Sequence, residues 1–134
     1  MTNYQICSGD ESFLRLEIER TAAGASVLET LAAECDDHEI HRVCTRLAAL
    51  NVQQVRRLQT LLLQKSGQWH EVPAMCPYVS TCFGTLRLVC LEERAGRARL
   101  LAYADMTVCP GVRGLCRAFA AERARAARAL EALL

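Results

Sequence analysis

No stretch of this chain stays apolar for the roughly 18–20 residues that a helical membrane span needs, and aromatic residues make up only 5% of it. The first absence argues against a membrane partner. The second, beside 51% hydrophobic residues, leaves Leu and Ala to pack the core. Charge of one sign is lacking as well, since 16 basic and 15 acidic residues give a net +1. That balance lacks the electrostatic footprint of a nucleic-acid binder, so no nucleic-acid partner is expected. Arg94, Arg97, Arg99, Arg123, Arg125 and Arg128 are numerous, but Glu92, Glu93 and Glu122 sit among them. We read them as a solvated helix face. The opening residues Met1 to Cys7 lack the charged and apolar regions of a signal peptide. A cytoplasmic location is therefore expected, with the eight cysteines as thiols.

What is present is an internal repeat. Laid over Leu88–Leu134 at a shift of 72 residues without a gap, Leu16–Leu62 matches at 12 of 47 positions. Leu and Ala matches mean little in this composition. Gly24 with Gly96 and Cys44 with Cys116 mean more, as does Arg56 with Arg128.

The 3.6-residue periodicity predicts four helices. The first spans about 11–34, with Ser8 or Asp10 as cap, and turns Leu14, Ile18, Thr21, Ala25, Leu28 and Leu31 inward. Asp36 or Asp37 caps the second, which runs to about Gln64 with Ile40, Cys44, Leu47, Leu50/Asn51, Gln54, Leu58 and Leu61 inside. Ser80 or Thr81 caps the third, about 81–106, with Phe83, Leu86, Cys90, Glu93, Arg97 and Leu100 inside. The fourth follows the Pro110-Gly111 turn to about 133, with Val112, Cys116, Phe119, Arg123, Ala126 and Leu130 inside. Each helix is about 36 Å long at 1.5 Å per residue. The connector 66–80 can extend to about 49 Å, so it can cross the whole bundle and set the hairpins 11–65 and 81–134 about a pseudo-two-fold axis. One all-α, four-helix domain over 1–134 is expected.

The hairpin length, the mid-helix glycine and the closing run Arg56-Arg57-Leu58-Gln59-Thr60-Leu61-Leu62 resemble the rubrerythrin branch of the ferritin-like superfamily. The resemblance implies a homodimer and two irons. These would be held by a Glu on the first helix of each hairpin and a Glu-x-x-His on the second. Here those positions fall on Thr21, Asn51 and Gln54 in the first hairpin and on Glu93, Arg123 and Ala126 in the second. Only Glu93 keeps a ligand side chain, and no Glu-x-x-His occurs anywhere. A di-iron site needs several carboxylates and imidazole, so no such cofactor is expected. Thr21, Asn51, Gln54, Glu93 and Arg123 would instead form a polar layer with a Glu93–Arg123 ion pair at its centre. The alternative is that both charged groups reach outward to solvent.

Cysteine and histidine offer a rival reading as ligands for Cu, Zn or Fe, or as redox groups. Cys35-x-x-His38-x-x-His41-x-x-Cys44 is the most metal-like pattern, yet steps of three on one helix cannot close a tetrahedron. Cys90 lies one turn before Glu93, and Cys44 and Cys116 are repeat equivalents whose thiols could approach. No C-x-x-C occurs, which removes the zinc-ribbon and dithiol motifs. Leu62, Leu63, Val89 and Leu101 fall outside the inward stripes and supply apolar surface for self-association. The sequence favours a non-enzymatic structural or interaction protein with a degenerate di-iron site.

Overall fold

A computed structural model describes residues 8–134, apart from the Ser8 side chain; the reading of Met1 to Cys7 and the Ser8 cap lie outside what it describes. Four helices follow one another: α1 (Ser8–Glu34), α2 (His38–Ser66), α3 (Cys82–Met106) and α4 (Pro110–Glu131). Each boundary has a local cause. Asp37 accepts from the Ile40 N–H at 3.0 Å to open α2, and Thr81 accepts from the Gly84 N–H at 3.1 Å to open α3. Gly67 closes α2 at φ 76°, a conformation that costs glycine little. Pro110 sits inside the first turn of α4, so the turn before it is Thr107 to Cys109. Asp10 does not cap α1. It lies within the helix, fully buried, and accepts from Thr107 Oγ1 at 2.9 Å and from the Tyr103 hydroxyl. That contact ties the start of α1 to the end of α3.

The extensive contacts are within the hairpins, α1 on α2 and α3 on α4; α1–α3 and α2–α4 meet more lightly. The core divides into two clusters. One holds Leu28, Leu31, Ile40, Cys44, Leu86, Cys90 and Leu130, and the other Leu14, Ile18, Leu58, Leu62, Leu100, Cys116 and Phe119. Along the chain, α1 runs from the second cluster to the first and α2 returns. The connector then brings the chain back to the first cluster, with Val72 packed on the second and Val79 on the first. The helices therefore run up, down, down, up.

Several expectations require correction. Leu50, Phe83 and Arg97 are exposed, while Ala48, Thr85, Val89 and Gly96 join the buried face, which is wider than a single stripe of residues. Leu62 and Val89 are core residues, Leu62 in the second cluster and Val89 in the first. They offer nothing to self-association; of the four proposed, Leu63 is exposed and Leu101 half-buried against the core. The cysteines are not all thiols: Cys35 and Cys82 form a disulfide across the first-cluster end of the bundle. No described helix is long and apolar enough to cross a membrane.

Candidate functional site

Between the two apolar clusters lies a charged layer. Arg123 rises from α4 on the inward side, and its guanidinium donates from Nη1 to Glu93 Oε1 and from Nη2 to Thr21 Oγ1, both at 2.8 Å. All three residues are buried. Helix spacing explains the convergence, since Thr21 follows Leu14 and Ile18 on the α1 stripe and Glu93 follows Leu86 and Cys90 on α3. Burial pushes the Glu93 carboxyl above the ordinary glutamate range, and Arg123 pulls it only part of the way back. Desolvation outweighs the pair.

The other expected members are also buried but do not join this network. Gln54 donates from Nε2 to Glu122 Oε1 at 3.1 Å, its own carbonyl sealed without a partner. Asn51 leaves Nδ2 unpartnered, 3.1 Å from where a Cβ on Gly24 would stand. Arg123 leaves Nε unpartnered, 3.5 Å from the equivalent point on Gly96. The repeat thus explains itself. Asn51 and Arg123 are equivalent positions, and in each hairpin the mid-helix glycine clears space for the polar side chain opposite. Ala126 packs into the first apolar cluster.

Sequence reading missed Glu17. It is 1% exposed and accepts from Arg99 Nε at 2.5 Å, with Arg20 at 3.6 Å. Its signal was present: Glu17 lies three residues after Leu14 and four before Thr21, within the inward face of α1. Arg99 also acts on Glu93 electrostatically, so two acid–base pairs share one layer. A cavity of about 360 Å³ between α1 and α3 opens on this layer, lined by Gly24, Val27, Leu88, Glu93, Arg99 and Arg123. Tyr78, Ser80, Thr85 and Glu92 also line it, and the Glu92 carboxylate adds to the upward displacement of Glu93.

The metal-like residues are dispersed. Cys35 is spent in the disulfide, His38 is exposed, and His41 Nδ1 lies 2.9 Å from the Ala32 carbonyl. Cys44 and Cys116 occupy opposite clusters, on either side of the charged layer, so their thiols do not approach. Cys90 Sγ donates to the Ala127 carbonyl at 3.7 Å. Among the described residues, no three His, Cys, Asp or Glu side chains are grouped to hold a metal. Burial pushes the Cys44 thiol up to about 11 and Cys116 to about 12, and raises Cys90. Thiolate is the reactive form. Alkylation of the folded protein at pH 8, read peptide by peptide, should therefore modify exposed Cys76 and half-exposed Cys109 well before Cys44, Cys90 and Cys116. Equal labelling of Cys116 and Cys76 would contradict this assignment.

Comparison with protein-family models, with curated proteins and with solved structures finds no match to this chain.

Proposed function

We propose that this chain is a ferritin-like bundle, resembling the rubrerythrin branch, whose di-iron centre has given way to an ion pair. It serves as a non-enzymatic structural or interaction module. One observation carries the reading: the Arg123 guanidinium bonds to both Thr21 and Glu93, joining three of the six positions where the resemblance puts iron ligands. A fixed positive charge there opposes cations. The up, down, down, up course of the helices supports the same reading, as does the pairing of each glycine with its polar partner. The expected homodimer belongs to this proposal.

Metal analysis after anaerobic purification and incubation with Fe(II), Cu(I) or Zn(II) tests it. The proposal expects retention far below one ion per chain and no accelerated iron oxidation. One or more tightly held ions per chain would support the rival, a cysteine- and histidine-based metal or redox protein. A single observation favours that rival, namely that Cys35 and Cys82 form a disulfide.

A further inference from the structure

The six late arginines divide by their partners. Arg94 pairs with Glu131, Arg99 with Glu17 and Arg123 with Glu93. The side chains of Arg97, Arg125 and Arg128 meet no carboxylate and no hydrogen-bond partner among the described residues. These three, with Arg117, line one groove of about 290 Å³ between α3 and α4, and no acidic residue shares that lining. Arg117 has only a long contact, 3.9 Å to Asp105. In a chain of net charge +1, four guanidiniums gather on one groove and three of them have no acidic partner among the described residues. Leu101, Ala121 and Ala124 make its floor small and apolar. Arg117 and Arg128 are eleven positions apart on α4, about 16 Å, or three helical turns.

We infer that this groove is a docking site for an acidic, amphipathic segment of a protein partner. Its carboxylates would lie on the arginines, and its apolar face would pack on the alanine floor. Charge complementarity and the length of the track favour that occupant. A single-stranded nucleic acid is disfavoured because no aromatic side chain lines the groove for base stacking. The inference rests on the interaction-module reading and names its partner's chemistry.

The test uses the folded chain and a fluorescein-labelled helical peptide bearing glutamates on one face and leucines on the other. Saturable binding by fluorescence anisotropy is expected, weakening about tenfold between low and physiological salt. The pair of substitutions Arg97→Glu and Arg128→Glu should weaken it at least about tenfold. Arg87→Glu, on the same helix but outside the groove, should leave it unchanged, with helical content checked for both variants. Absence of saturable binding overturns the inference, as does equal weakening by Arg87→Glu or tighter binding of an oligonucleotide or an anionic lipid vesicle. Self-association of the chain that blocks the peptide and is lost on Arg97→Glu with Arg128→Glu would also overturn it, assigning the groove to a second copy. Metal retention is read separately, so bound iron beside an occupied groove would sink the metal-free reading alone.

Discussion

Replacing Arg123 with alanine is expected to destabilise the protein by about 3–5 kcal/mol, because it strands the Glu93 carboxylate in a low-dielectric layer. Thr21 would lose its donor at the same step. Replacing both partners, Arg123→Leu with Glu93→Leu, should cost far less, within about 1–2 kcal/mol of the parent or on its stable side. The reason is already visible in Glu93, whose carboxyl is displaced upward by burial despite its cation. The pH dependence follows with a definite sign. A carboxyl whose folded value is raised holds more protons folded than unfolded between the two values, so its contribution to stability is largest below the ordinary glutamate range. That contribution is lost as pH rises through the raised value. Urea denaturation of the parent and of Glu93→Gln from pH 4 to 7.5 reads this directly. The parent's stability relative to the variant should fall as pH rises; a difference that grows with pH would contradict the assignment.

Reduction of the Cys35–Cys82 disulfide should produce the second large effect. The bond closes a loop across 47 positions, and the chain-entropy estimate for such a loop is about 4 kcal/mol. Domains of this size commonly total about 5–15 kcal/mol, so the denaturation midpoint should move strongly. The bond also fixes topology, since it fastens the α1–α2 turn to the start of α3, where the connector delivers the chain. Cys82→Ser should lower the midpoint as much as reductant does, while the two apolar clusters keep the helices formed. A midpoint unchanged by reductant in the parent would show that the bond is absent from the folded protein.

The four helices were legible because their signals are local. Asp37 and Thr81 cap them, Gly67 ends one, and the inward spacing of Leu14, Ile18, Leu28, Leu58 and Leu130 needs no knowledge of neighbours. The Glu93–Arg123 pair was legible for a related reason, as each lies on its own helix's inward face at the position its repeat equivalent occupies. Glu17 escaped because one stripe per helix is narrower than the face that two neighbouring helices bury. Its partner Arg99 sits 82 positions away. The disulfide escaped entirely. Cys35 and Cys82 share no spacing motif, and their meeting depends on the connector's path across the bundle. Which arginines are paired is equally non-local, since Arg94 and Arg97 look alike in sequence but only one has a glutamate on the opposing helix.

We propose that the arginine-centred layer stands where a ferritin-like bundle would hold two irons. Iron content after anaerobic loading, compared between the parent and a variant with the ligand pattern restored, decides the matter. The restored chain keeps Glu93 and carries Thr21→Glu, Asn51→Glu, Gln54→His, Arg123→Glu and Ala126→His. The parent should hold no stoichiometric iron and the restored chain about two irons, matching the ligand count of a bundle-core di-iron site. Two irons retained by the parent, or none taken up by a folded restored variant, would contradict it.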